Sequence, residues 1–312
     1  MRSGILLLFS IIFVSFSPLY AQSSKPVFTP HHTGYITTSD GLKLWVKESG
    51  TGPVCIFIHG GPGAWSKSFE DMGGSNLEKH LTMVYFDQRG SGRSEGASDN
   101  DYSLERMLKD INEVREKLHV NQVYLLAHSF GGILATNYAL KYPEHVKGLI
   151  LANCTLNLKS SIRSQIGYIN HLLGTHFEAQ TDAALIPTMM EALKALKAKG
   201  LDYKRLSDNK QNVEKLHRID ASNPSQYIFS RKALMMKQYQ QNFSKITPEV
   251  KCPVLVITGK KDHAVGINQY KSFKFPHEKI VKIDGGHLLY YEHNPQFVRT
   301  VFSFVDKTSL HN

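Results

Sequence analysis

Cysteine is scarce in this sequence: three residues, Cys55, Cys154 and Cys252, in a chain of 312. So few exclude a disulfide framework, and the odd number leaves at least one thiol unpaired. No two stand close enough in sequence for a zinc site. Cys55 lies within an apolar run and Cys252 opens another, so all three read as buried thiols packed as small hydrophobes. Long apolar runs are also missing. The one near the start, residues 5–16, falls well short of the roughly 20 residues that span a bilayer. Lys and Arg exceed Asp and Glu by 37 to 27, a formal charge of +10, yet the excess is spread along the chain. A dispersed excess reads as a solvated surface, and without an accompanying motif it argues against a nucleic-acid partner. No internal repeat is visible.

The first 21 residues stand apart. Arg2 precedes the apolar run, and Pro18-Leu-Tyr-Ala-Gln22 follows it. A basic residue, an apolar stretch and a small residue at Ala21 make a signal peptide cleaved after Ala21. The expectation is an exported protein, periplasmic or secreted, with no stable membrane insertion once the leader is gone. Residues 22–34 read as a linker.

Beyond it, 34–38 and 42–48 alternate apolar and polar residues around Ser39-Asp40-Gly41, the pattern of a β-hairpin. Val54-Cys-Ile-Phe-Ile58 is continuously apolar and predicts a strand buried on both faces. It ends in His59-Gly-Gly-Pro-Gly63, whose glycines allow unusual backbone angles and close approach of a ligand. A helix is expected over 68–80 and a strand over 81–87, running into Gln88-Arg-Gly-Ser-Gly-Arg-Ser94. That loop lacks the Gly-Lys-Ser/Thr ending of a phosphate-binding loop, and reads as a structural turn held by Asp87 and Arg89. An amphipathic helix capped by Ser103 covers 103–118. Strands follow at 123–127 and 146–152. Alternating strands and helices imply a parallel sheet with helices on both faces.

Residues 155–248 break the pattern. They carry helical periodicity and many lysines, and read as a helical insertion with a solvated amphipathic surface. The strand pattern resumes at 253–258, with a helix at 267–275, a last strand at 279–283 and a closing helix at 295–305. The core is thus expected in two parts, 35–154 and 249–312, with a cap between them.

Strand, sharp turn, serine and helix coincide at Val123-Tyr-Leu-Leu-Ala-His-Ser-Phe-Gly-Gly-Ile133. This is the form of a nucleophile elbow, with Ala127 where Gly is usual. Ligands of open parallel sheets bind at the carboxyl ends of strands, and four segments fall there: the glycine turn at 59–63, Ser129, Asp262 and His287. The order Ser, Asp, His is that of the α/β hydrolases. A serine hydroxyl is a weak nucleophile that needs a base. His287 would take its proton, Asp262 would hold the imidazole, and the N–H groups of Phe130 and Gly61 would form the oxyanion hole, with Gly60 as the lesser choice for the second donor. His293 and Asp284 are weaker alternatives for base and acid. His59 and His128 read as packed, hydrogen-bonded histidines.

His59-Gly-Gly-Pro-Gly63, Tyr85-Phe-Asp-Gln-Arg-Gly-Ser-Gly-Arg-Ser94, the Ser129 elbow, Asp262 and Gly286-His287 together resemble the prolyl iminopeptidase branch of the α/β-hydrolase superfamily. The resemblance implies a mostly parallel sheet flanked by helices, a helical cap, and release of N-terminal residues from small peptides without metal or cofactor. It also implies a cap glutamate near tryptophans that holds the substrate amine. Trp45 and Trp65 both lie outside the cap here, and Glu178, Glu191 and Glu214 are the candidates for the charge. An esterase or lactonase with the same triad, and a ligand-binding protein that keeps it without turnover, stay open beside the peptidase reading.

Overall fold

The computed structural model describes residues 32–224 and 228–309; the expected leader and nearly all of the linker lie outside them. Eight strands form one sheet: β1 (Thr33–Thr37), β2 (Lys43–Ser49), β3 (Val54–Ile58), β4 (Thr82–Phe86), β5 (Val123–His128), β6 (Val146–Ala152), β7 (Val254–Gly259) and β8 (Glu278–Ile283). Their order is β1-β2-β4-β3-β5-β6-β7-β8. The β1–β2 and β2–β4 pairs are antiparallel and all others parallel. The helices are α1 (Ser66–Asp71), α2 (Leu104–Lys117), α3 (Gly131–Lys141), α4 (Leu158–Leu173), α5 (Leu185–Ala198), α6 (Lys210–Asp220), α7 (Ile228–Ala233), α8 (Leu289–Glu292) and α9 (Asn294–Ser309). The architecture is that of an α/β-hydrolase fold.

The apolar runs explain the layering. Side chains alternate faces along a strand. Ile56 and Ile58 of β3 therefore pack with α2 and α3, while Cys55 and Phe57 pack with α1 and α9. A strand apolar at every position can be satisfied only with helices on both faces, so β3, β5, β6 and β7 occupy the middle of the sheet. β8, with its charged residues, is left at the edge and largely exposed. Cys55 and Cys154 are buried, as expected of small hydrophobes, whereas Cys252 is only partly so.

Between β6 and β7 the chain is helical among the described residues. Asn157 caps α4 through its side chain, accepting from the Ser160 N–H, and Gly174 ends the helix at φ +65°. α4 and α5 bury Ile166, Ile169, Leu185, Met189, Ala192 and Leu196 in a small core of their own. One face of α5 is therefore packed and the other faces solvent, as its amphipathic periodicity implies.

Two expected helices differ. The segment 68–80 divides into α1 and a 3₁₀ turn, Gly74–Lys79, because Gly73 turns at φ +99° and Gly74 lies against the Phe69 ring. A Cβ on Gly74 would stand 2.4 Å from that ring, so this close fold-back requires glycine. Residues 267–275 hold only a 3₁₀ turn, Gln269–Ser272. Phe273 leaves it in extended backbone, and Phe273 and Phe275 both reach the core beneath α2 and α3.

The loop after β4 is pinned from both ends. Asp87 accepts from the Ser66 N–H and from Arg93 Nε, at 2.8 and 2.7 Å. The Arg89 side chain is fully buried and grips Asp110 with two parallel hydrogen bonds, Nε at 2.6 Å and Nη2 at 2.8 Å. Asp110 also pairs with Arg106, at 2.7 Å, so losing Arg89 leaves the carboxylate with one guanidinium in place of two, which costs less than the roughly 3 kcal/mol or more of a buried charge left alone. Arg89→Met is therefore expected to destabilise the fold by ~2 kcal/mol, the worth of a hydrogen bond to a charged group, read as a lower midpoint in urea unfolding at unchanged slope.

Candidate active site

Ser129 follows β5 directly and adopts φ +56°, a conformation that non-glycine residues rarely take. The strain is held by neighbours. The Ser129 N–H donates to the Ala152 carbonyl at 3.3 Å, and its own carbonyl accepts from Thr155 N–H and Gly132 N–H, both at 3.1 Å. Small residues are required around it. A Cβ on Gly131 would lie 2.2 Å from the Ile58 carbonyl oxygen, and one on Gly60 would lie 2.6 Å from Ser129 Cβ. Ala127 is wholly buried and is small enough for the turn.

The glycine turn after β3 lies across from Ser129. Gly61 has φ +115° and Gly63 φ +81°, and Ser230 of α7 packs against Gly63. His59 fixes this turn. Its Nδ1 donates to the Gly60 carbonyl at 3.0 Å, its Nε2 accepts from the Gln88 N–H at 3.0 Å, and burial lowers its pKa. Among the described residues, the N–H groups of Gly61 and Phe130 have no acceptor, and both residues line the cavity in front of Ser129. Phe130 also stands at the start of α3, where the helix dipole favours negative charge.

Asp262 and His287 come together from the loops after β7 and β8. His287 Nδ1 is 3.1 Å from each carboxylate oxygen of Asp262, which is completely buried. Asp262 Oδ1 also accepts from the Ala264 and Val265 N–H groups, at 3.0 and 3.2 Å. An acceptor-only carboxylate fixes the proton on Nδ1 and leaves Nε2 of His287 as the basic nitrogen. His287 and Ser129 line one cavity of about 280 Å³. Asp284, by contrast, is at the surface beside Lys261, 3.4 Å away, and His293 faces a separate surface hollow with it.

One positioning residue has no recognisable motif. Asn153, just past β6, sits at φ +47° and is buried. Its Oδ1 accepts from the Gly259 N–H at 2.7 Å, and its Nδ2 donates to the carbonyls of Gly286 and His287, at 2.8 and 3.1 Å. One amide thereby joins the ends of β6 and β7 to the His287 loop. A lone Asn after a strand carries no spacing that marks it in sequence.

The cap closes the site. A larger cavity of about 390 Å³ opens from Ser129 between the glycine turn and the cap, walled by Leu158, Met189, Met190, Leu193, Leu234 and Val265. Glu178, Glu191 and Glu214, the candidates for the amine-binding charge, are all exposed and line neither cavity. Their helix faces or loops point to solvent; Glu214 pairs instead with Lys210. The acidic cap side chain that does line both cavities is Asp220, at the end of α6. Its Oδ1 accepts from Trp65 Nε1 at 2.9 Å and Ser68 Oγ at 2.6 Å. A tryptophan from the core thus meets a carboxylate from the cap. Among the described residues, no cluster of His, Cys, Asp or Glu is gathered for a metal, and no helix is long and apolar enough to cross a membrane.

Residues 53–294 match the family model described as alpha/beta hydrolase fold. The chain belongs to that family. Within it, the proline iminopeptidase of Elizabethkingia meningoseptica is 36% identical over 124 residues, which cover 38% of this chain and 42% of that protein. The match thus spans about two fifths of the relative's length. A proline iminopeptidase-related protein from Thermus thermophilus superposes with a TM-score of 0.72 at 21% identity, covering 88% of this chain and 97% of that one. An esterase from Exiguobacterium antarcticum gives 0.66 at 21%, covering 88% and 100%. At such identities the structural likeness speaks for the fold.

His128, beside the serine, donates from Nε2 to the His287 carbonyl at 3.0 Å, and its ring centroid is 4.5 Å from that of His287. Burial, and next the neighbouring His287, hold its pKa well below the ordinary 6.5. The folded form then binds fewer protons than the unfolded form once the pH drops below about 6.5, so acid weakens the fold in that window. His128→Gln keeps an N–H donor without the titration. Its unfolding midpoint is expected to fall less steeply between about pH 6.5 and 5 than that of the wild type, as measured by urea unfolding across a pH series.

Proposed function

We propose that this protein is a serine hydrolase acting through an acyl-enzyme, of the proline iminopeptidase type. The observation that carries the reading is that His287, held by Asp262, lines the same cavity as a strained Ser129, next to two N–H groups that have no acceptor among the described residues. His287 Nε2 removes the Ser129 proton as Oγ attacks the scissile carbonyl. The Gly61 and Phe130 N–H groups receive the developing oxyanion, and the protonated His287 then returns its proton to the leaving group. Water repeats the sequence to release the acyl part. Asp262 holds the tautomer and stabilises the imidazolium.

For the substrate, the apolar cavity suits a compact ring or aliphatic side chain, and Asp220 offers a carboxylate to a free amine beside it. The name carried by the sequence relatives points the same way. The basic-then-apolar first residues add export to the proposal. The apolar lining equally favours a second reading, hydrolysis of short esters or lactones, in which no amine is needed.

A panel of aminoacyl-naphthylamides, their amine-blocked forms and short acyl nitrophenyl esters separates the two. The peptidase reading expects cleavage of prolyl-naphthylamide and none after the amine is blocked. Rapid ester turnover indifferent to an amine would transfer the assignment to the second. Ser129→Ala should lose about 10⁴-fold or more in kcat on every substrate while melting like the wild type; substantial residual activity would remove Ser129 as nucleophile. Asp220→Asn should lower kcat/KM for free-amine substrates by about 10- to 100-fold, and by much less for esters.

A further inference from the structure

Arg205 is a cation in the wall of the site that forms no ion pair among the described residues, although Asp202 and Asp262 are within electrostatic reach. It closes the 3₁₀ turn Asp202–Arg205 in the cap, next to Leu206, whose carbonyl accepts from the His287 N–H at 2.8 Å. The turn is thereby tied to the His287 loop. The guanidinium makes one hydrogen bond among the described residues, from Nη1 to Gln165 Oε1 at 2.8 Å. Its Nε is buried and has no partner there. None of the ion pairs among the described residues involves it, although Arg89, Arg93, Arg106 and Arg115 each pair with a carboxylate. Burial lowers its pKa. The residue is half-buried at the cavity wall, and its fork of donors, with one hydrogen bond among the described residues, can take a further acceptor from a ligand in the cavity.

Its position says from where. Arg205 lines both cavities, as do Ser129, Gln165 and Asp220. The smaller cavity also holds His287, which delivers the proton to the departing group, so that side is where the leaving group sits. We propose that Arg205 is a carboxylate subsite for the leaving portion of the substrate, selecting molecules that carry a free carboxylate one carbon beyond the scissile bond's nitrogen or oxygen. Resting on the peptidase reading, this makes the preferred substrate a dipeptide. Its amine would lie on Asp220, its first side chain in the apolar cavity and its terminal carboxylate on Arg205. A planar bidentate pair of this kind discriminates strongly against the neutral amide, which leaves the fork unsatisfied.

The test uses two matched pairs: prolyl-alanine with prolyl-alanine amide, and O-butyrylglycolate with O-butyrylglycolamide. Each is run against the wild type, Arg205→Gln and Arg205→Lys. In the wild type, kcat/KM should favour the carboxylate member by about tenfold or more. Arg205→Gln should reduce that ratio by about 10- to 100-fold, chiefly through KM, and Arg205→Lys should restore part of it. A wild-type ratio near one, or an equal loss on both members of a pair, overturns the subsite. Because the wild-type ratio decides by itself, a poorly folding variant does not spare the proposal. If neither peptide is cleaved while the ester pair responds as stated, the peptidase reading fails and the subsite stands. If peptides are cleaved with no carboxylate preference, the reverse holds. Calorimetric titration of the Ser129→Ala variant with each glycolate derivative reads the subsite without turnover, and equal affinity for the two would also overturn it.

Discussion

Three hydrogen bonds from one buried amide, that of Asn153, hold the carboxyl edge of the sheet together. Asn153 ties the last residue of β7 to the loop that carries His287. A parallel sheet delivers its strand ends to one edge, but each loop beyond that edge is free to wander. Hydrolytic chemistry of this kind tolerates little wandering, since misplacement by about 1 Å costs about two orders of magnitude. The rest of the site assumes that this edge is fixed. Asp262 then meets His287 with both oxygens, and His287 shares a cavity with Ser129.

Around that edge the protein keeps unneeded charge away. His59 and His128 lie beside the serine, and burial biases each toward its neutral form. His59 spends both ring nitrogens on backbone groups, of Gly60 and Gln88, and His128 spends its Nε2 on the His287 carbonyl. Neutral, hydrogen-bonded rings shape the turn without competing with His287 for protons. The N–H groups of Gly61 and Phe130 are left as the dipoles facing the serine. In a site shielded from water, preorganised dipoles act more strongly than in solution.

The cap contributes charge of both signs and an apolar wall. Asp220 is oriented by Trp65 and Ser68 of the core, so cap and core are joined at the wall of the cavity. Arg205 stands on the opposite kind of footing, with Gln165 as its hydrogen-bond partner among the described residues. A carboxylate oriented through one oxygen by two donors and a guanidinium with one hydrogen bond among the described residues differ in what they ask of a ligand.

The periodicity of the chain determined most of the core by itself. Continuous apolar runs can be satisfied only in the centre of a covered sheet, so β3, β5, β6 and β7 were legible as strands, and their sequel residues Ser129, Asp262 and His287 as occupants of one edge. The small residues at 59–63 and around the elbow were legible for the same local reason: a tight turn excludes a Cβ. The split of 68–80 at Gly73 and the collapse of the 267–275 helix to one turn were not, because packing against Phe69 and burial of Phe273 and Phe275 overrode helical spacing. Nor were Asn153, Asp220 and Arg205. Each is a single polar residue whose role depends on partners far along the chain, at Gly259 and His287, at Trp65, and at Gln165. Local pattern reports which face of an element is buried. Only the folded chain decides which distant groups meet there, since no repeat or spacing encodes a contact made once.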